Sequence, residues 1–164
     1  VLGLTDGGMT MYPDLPTKVG IVENAVAAYH RIGVPCPKVA ALAAVELVNP
    51  DMQATLDAAA LAVMNRRGQI KGCLVDGPLA LDNAVSAEAA RIKGIDSPVA
   101  GDADLLLVPC IEAGNFIGKV MQYMTGSAGA GAVLGARRPI VLTSRFDNAE
   151  TRLLSIAFGA VLAM

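Results

Sequence analysis

The stretch 73-CLVDGPLALDNAVS-86 decides how the chain is read. It opens on a short apolar run, Cys73, Leu74 and Val75, of the kind that forms a buried strand. A polar corner follows, with Asp76, Gly77, Pro78 and Asp82, and Asn83 stands where a helical segment begins. An apolar strand that breaks at Gly-Pro and leads into a helix is one half of a βαβ unit. Outward from it the alternation repeats. Strands are expected over 2–5, 38–42, 72–75, 104–108 and 140–143, and helices over 17–32, 54–66, 83–93, 115–124 and 148–164. This is the α/β class with a mainly parallel sheet. An unbroken apolar run such as 104-DLLLV-108 suits a strand covered on both faces, so three layers are expected.

Composition narrows the function classes. A chain of 164 residues is one domain of ordinary size. With 54% apolar and 17% charged residues, disorder is excluded. The longest apolar run, 153-LLSIAFGAVLAM-164, has 12 residues, where a membrane span needs about 20. No membrane partner is expected. Net charge is −2 and the basic residues are scattered, which argues against nucleic acid. Cys36, Cys73 and Cys110 form no CxxC pair and read as free thiols of a reducing, cytoplasmic compartment. His30 is the one histidine, so a His-based metal site is not expected. The chain opens on Val1 within an apolar strand and closes at Met164 within an apolar helix. It therefore reads as part of a longer polypeptide.

The glycine-rich segment 126-GSAGAGAVLG-135 has GxGxxxG spacing, follows a helix and leads into a strand-like run. A dinucleotide loop needs GxGxxG after a strand and opening a helix, so this is a connection instead. Polar groups gather where the strands end, which is where open α/β sheets place ligands. Thr5-Asp6-Gly7-Gly8, then Glu46 with Asn49-Pro50, then Asp76-Gly77-Pro78, then Glu112, Gly114 and Asn115, and finally 143-TSRFDNAE-150 follow successive strands. Some of these have a purely structural reading. Asp82 or Asn83 can cap a helix, and Asp147 with Glu150 fits a capping pair at N-cap and N3. Ser144-Arg145 is the sharpest feature. A guanidinium at a strand-to-helix turn offers paired planar donors to an oxyanion, and the helix N-terminus adds partial positive charge. Phosphate, acyl phosphate or pyrophosphate is the natural guest. His30 lies at the far end of a helix, so Ser144 is not a triad nucleophile.

These residues resemble the phosphate acetyltransferase/phosphate butyryltransferase family, with the butyryl branch the nearer. The stretches that carry the resemblance are 5-TDGGMTMYPDLPTK-18, 44-AVELVNP-50, 57-DAAALAVMNRRGQIKG-72, 75-VDGPLALDNAVS-86, 104-DLLLVPCIEAGNFIGK-119 and 138-RPIVLTSRFDNAE-150. The resemblance implies the second domain of a two-domain enzyme with an isocitrate/isopropylmalate dehydrogenase-like fold. Residues 1–142 would be that domain. Residues 143–164 would be the active-site turn and a terminal helix that packs on a first domain absent here. The implied reaction turns acyl-CoA and phosphate into acyl phosphate and CoA, with a butyryl or acetyl chain. CoA is a substrate, and neither cofactor nor metal takes part. A homodimer, or pairing with the first domain, is implied as well.

By the same resemblance Ser144 bonds the reacting thiol or phosphate oxygen, and Arg145 holds the acyl phosphate. A carboxylate on the next helix serves as base. The acetyl branch carries it six residues after the arginine, which is Thr151 here. Glu150 is favoured in its place, with Asp147 as the alternative. The acetyl branch also has a cysteine where this chain has Gly7. Asp76, Gly77, Pro78, Asp82, Asn83, Gly114, Asn115 and Thr143 are the implied substrate-binding set, and Lys119 completes the family's G-N-x-x-x-K. A second reading is a non-catalytic module that senses CoA or acetyl-CoA and mediates assembly, as in the similar domain of some malic enzymes.

Overall fold

The computed structural model describes residues 1–145 and 147–164. Strands β1 (Gly3–Thr5), β2 (Lys38–Leu42), β3 (Leu74–Leu79) and β4 (Leu105–Leu107) form one sheet in the order β1-β4-β2-β3, with every pair parallel. Parallel neighbours need crossovers, and helices supply them. Helix α1 (Leu15–Arg31) joins β1 to β2, and α2 (Gln53–Arg66) joins β2 to β3. Helices α3 (Leu81–Val85) and α4 (Ala87–Ile92) lie between β3 and β4. Helix α5 (Ile111–Lys119) follows β4 and runs on into a π-helical turn, Val120–Met124. Helix α6 (Ala149–Ala163) comes last.

Strand alternation divides the core in two. Val39, Ala41, Val75, Leu105 and Leu107 pack with Val22, Val26 and Tyr29 of α1 and Leu61 of α2. Ala40, Leu42, Leu106 and Val108 pack the other way, with Ala84 of α3 and the half-buried Ala113 and Ile117 of α5. Both faces of the sheet are covered. The α/β class, the parallel sheet and the three layers expected from the sequence are all present.

Five expected elements differ. First, 140–143 is no strand of the sheet. Ile140 makes a single antiparallel bridge to Val133, and both Ile140 and Leu142 are exposed. The segment folds back on its own glycine-rich neighbour, so the sheet has four strands and not five. Second, β3 does not stop at Val75 but continues to Leu79, which puts Asp76 inside the strand opposite Ala40. Proline lacks an N–H, yet β3 is an edge strand and its register with β2 shifts between Ala40 and Leu42, so Pro78 is tolerated. Gly77 is required there, because a Cβ would come within 2.7 Å of the Ala41 carbonyl oxygen.

Third, the helix expected over 83–93 is two helices. Ser86 leaves the helical conformation (φ −122, ψ 113), and its Oγ accepts from Ala89 N to cap α4. Fourth, the helix expected over 115–124 starts a turn earlier, at Ile111, and ends in the π turn. Helix α1 also begins earlier, at Leu15, because Asp14 caps it by accepting from Thr17 N at 2.9 Å and Pro16 fits the first turn.

Helix α6 reaches the body of the fold through small residues. Buried Ser155 accepts from Gly131 N at 3.1 Å and donates to Thr151 O at 2.8 Å, and Gly159 leaves room for Val141. Leu153, Ile156 and Met164 remain exposed. Among the described residues no helix is long and apolar enough to cross a membrane.

Candidate active site

All four strands run the same way, so their carboxyl ends form one edge. After β2 and β3 that edge carries an ionic knot. Lys93 Nζ lies 3.2 Å from Glu46 Oε2 and 3.0 Å from Asp82 Oδ2. The lysine's hydrogen bond holds the Asp82 carboxyl below its usual range, and Asp82, then Glu46, raise Lys93. Asp82 lies in the first turn of α3 and does not cap it; Ala80 occupies the cap position. Asn83 is fully buried, and its Nδ2 donates to Glu46 Oε2 at 3.3 Å. Its Oδ1 is the one buried side-chain polar atom without a partner among the described residues.

After β1 and β4 the edge is a pinned loop. Asp6 accepts from the backbone N–H of Gly8, Met9 and Thr10, each at 2.9 Å. Ile111 N donates to Met11 O at 3.0 Å, and Tyr12 Oη donates to Glu112 Oε1 at 2.7 Å. That bond holds the Glu112 carboxyl low and pushes the Tyr12 phenol up. Gly114 is buried and Asn115 exposed, both within α5 and not at its start. Lys119 sits 5.9 Å from the Tyr123 ring centre.

The third group surrounds the start of α6. Asn148, not Asp147, is the N-cap, and its Oδ1 accepts from Thr151 N at 2.8 Å. The sequence-based cap pair is displaced because the Asp147 carboxylate is engaged elsewhere. Its Oδ2 accepts from Ser144 N at 2.6 Å, and its Oδ1 accepts from Gln122 Nε2 at 3.1 Å. Asp147 N donates back to Ser144 O at 3.1 Å. Glu150 occupies the second helical position, exposed, with no hydrogen bond or ion pair among the described residues. Ser144 and Arg145 are exposed and Thr143 is half-buried. Arg152 reaches back seven residues, its Nη2 donating to Arg145 O at 3.4 Å.

The structure thus gathers Ser144, Asp147, Gln122 and Arg152 around one turn, and Glu46, Asp82, Asn83 and Lys93 around another. Among the described residues no hydrogen bond or ion pair joins Ser144, Arg145 or Glu150 to Asp76, Asp82, Asn83 or Asn115. Sequence reasoning passed over Gln122, Lys93 and Arg152. Arg152 had no legible signal, since the carbonyl that it reaches belongs to Arg145, outside the helix. Gln122 had none, because its direction depends on the π turn. Among the described residues no group of three or more His, Cys, Asp or Glu is placed to hold a metal ion.

The model of one family, phosphate acetyl/butaryl transferase, matches residues 1–160. The phosphate butyryltransferase of Clostridium acetobutylicum is 52% identical over 163 residues, covering 99% of this chain and 54% of that protein. The phosphate acetyltransferase of Thermotoga maritima is 51% identical over 160 residues, covering 98% of this chain and 54% of that one. The crystal structure of a branched-chain phosphotransacylase from Enterococcus faecalis V583 superposes with a TM-score of 0.88 at 35% identity, over 98% of this chain and 57% of that chain. The chain spans about half the length of the curated relatives it matches.

Proposed function

The chain belongs to the phosphate acetyl/butaryl transferase family, and from that premise we propose that it carries the acyl phosphate turn of an enzyme converting acyl-CoA and phosphate into acyl phosphate and CoA. The acyl group in this reading is a short chain such as butyryl or acetyl. CoA is a substrate and no resident cofactor is needed. The single observation that carries the reading is the exposed Ser144-Arg145 turn at the start of α6, braced by Asp147. Residues 143–164 would serve as the catalytic segment of a domain formed by 1–142. The assembly would be a homodimer or a pairing with a further domain, and its compartment the cytoplasm.

The chemistry asks for three things. A phosphate oxygen attacks the thioester carbonyl, the C–O bond forms, and negative charge gathers on the carbonyl oxygen. The C–S bond then breaks, and the CoA thiolate takes up a proton. Arg145 and the N-terminus of α6 oppose the charge on phosphate and carbonyl oxygen. Ser144 Oγ hydrogen-bonds the attacking oxygen or the leaving sulfur. Glu150 moves the proton, since both Asp147 oxygens already accept hydrogen bonds and Glu150 is unengaged among the described residues. In this reading CoA lies along the sheet edge near Asp82 and Asn115, with Asp76 inside β3 and Thr143 in the segment before α6 completing its contacts. Gly77, Pro78 and Gly114 shape the backbone there, and Asn83 braces it from beneath.

Arg145→Lys in the full-length protein tests the assignment. The lysine keeps the charge and loses the planar fork. CoA release from butyryl-CoA with phosphate is expected to fall by about a hundredfold or more. Turnover equal to the parent protein's ends the reading.

A further inference from the structure

We propose that Gln122 is the positioning residue of the Ser144 turn, acting through Asp147. The inference rests on the reading of Ser144-Arg145 as the acyl phosphate site. Gln122 lies on the π-helical turn Val120–Met124, far from the active-site turn in sequence. Its Nε2 donates to Asp147 Oδ1 at 3.1 Å across 25 residues. The other Asp147 oxygen accepts the Ser144 amide at 2.6 Å, and the Asp147 amide donates to Ser144 O. The turn is therefore closed upon itself by Asp147, and Asp147 is held by Gln122. Among the described residues, Gln122 is the only side chain outside 143–164 that hydrogen-bonds to residues 143–148.

The π turn explains how Gln122 faces this way. One residue inserted into a helix of 3.6 residues per turn rotates everything beyond it by about 100°. An unbroken α-helix would aim the amide elsewhere, and π turns are frequent at functional sites. Gln122 is half-buried, while Tyr123 and Met124 beside it are exposed. The chain has a chemical consequence. The Ser144 amide is occupied by Asp147 and is no donor for a substrate oxyanion, so Ser144 offers its hydroxyl alone. Asp147 in turn orients the turn and carries no proton between reactants.

Two measurements separate this inference from the functional reading beneath it. In the 164-residue chain, Gln122→Leu should accelerate hydrogen exchange at the Ser144 amide while amides of the β2–β4 ladder keep their rates. An unchanged Ser144 rate overturns the tether. In the full-length protein, Gln122→Glu sets carboxylate against carboxylate and should lower kcat by on the order of ten- to a hundredfold. Asp147→Asn alone should be mild, because Gln122 can turn its amide over and accept from the new Asn amide through Oε1 while Ser144 N keeps its acceptor. The pair Gln122→Glu with Asp147→Asn rebuilds both bonds, because the new amide donates to the new carboxylate and its carbonyl accepts from Ser144. Recovery to within about threefold of the parent kcat is expected, as coupled neighbours depart from additivity. Losses that simply multiply refute the tether. If Arg145→Lys keeps full turnover while Gln122→Leu still frees the Ser144 amide, the functional reading has failed and the tether stands.

Discussion

Gly7 and Gly114 meet backbone to backbone. A Cβ on Gly7 would come within 2.9 Å of the Gly114 carbonyl carbon, and one on Gly114 within 2.6 Å of Gly7 Cα. This contact seats the loop after β1 against α5, and the Met11–Ile111 and Tyr12–Glu112 bonds close over it. Neither partner in the contact is a flexible side chain that could swing aside. Gly114→Ala should therefore displace the loop and lower stability by about 1–3 kcal/mol. Urea unfolding checks this, and a midpoint equal to the parent's would show that the loop yields freely.

Lys18 and Asp57 form a nearly solvent-free ion pair, Nζ to Oδ2 at 2.6 Å, and Gln53 Nε2 donates to the other carboxylate oxygen at 2.8 Å. The pair links α1 to α2. Lys18→Met leaves a buried charge unpaired and should lower stability by about 3–5 kcal/mol. Adding Asp57→Leu should recover most of it, since an apolar pair needs no desolvated partner. A double variant as unstable as the single one would contradict this account.

Glu150 and Asn148 stand two residues apart at the start of α6 and should respond differently. Asn148→Ala removes the cap bond to Thr151 N and should cost about 0.5–2 kcal/mol of stability, leaving the pH profile of turnover unshifted. Glu150→Gln should alter that profile and slow the reaction, with a stability change of about 0.3–1 kcal/mol from the lost charge at the helix start. A parent-like profile in Glu150→Gln would remove it as the proton carrier.

Alkaline pH should destabilise the fold through two buried acids. Burial pushes the Cys73 thiol up from 9.0 to about 11, with Cys36 adding to the rise. Burial, then Asp104, pushes the Tyr29 phenol up from 10.0 to about 12. In each case the unfolded chain loses the proton first, so the contribution is complete below the unfolded value and is lost as pH climbs through the folded one. Stability should fall between pH 9 and 12. Tyr29→Phe should flatten the upper part of that decline, and guanidinium titrations at stepped pH would reveal an unchanged slope if Tyr29 plays no part.

Much of this molecule was legible in one dimension. The runs at 38–42 and 104–108 hold β2 and β4, as short apolar stretches set between helical segments and turn residues should. The motifs around Asp76, Gly114 and Ser144 carried the family resemblance, and the family model matches nearly the whole chain. The Ser144-Arg145 turn before α6 was visible because polar residues leading into a helical run mark a turn locally, even though its cap residue was not.

By itself, then, the sequence determined the class of fold, the family and the residues worth testing. Tertiary structure decided which of them touch. The run at 140–143 has a strand's composition, but a strand exists only by pairing, and this one meets Val133 and no sheet edge. Pro78 could continue β3 only because that strand lies at an edge, a fact of strand order. Asp147 reads as a cap until Gln122 and the Ser144 amide, one of them 25 residues away, take both of its oxygens and leave the cap to Asn148. A side chain's neighbours along the chain set what it can do. Neighbours brought by folding set what it does, because a hydrogen-bond acceptor already engaged is no longer free for the local role.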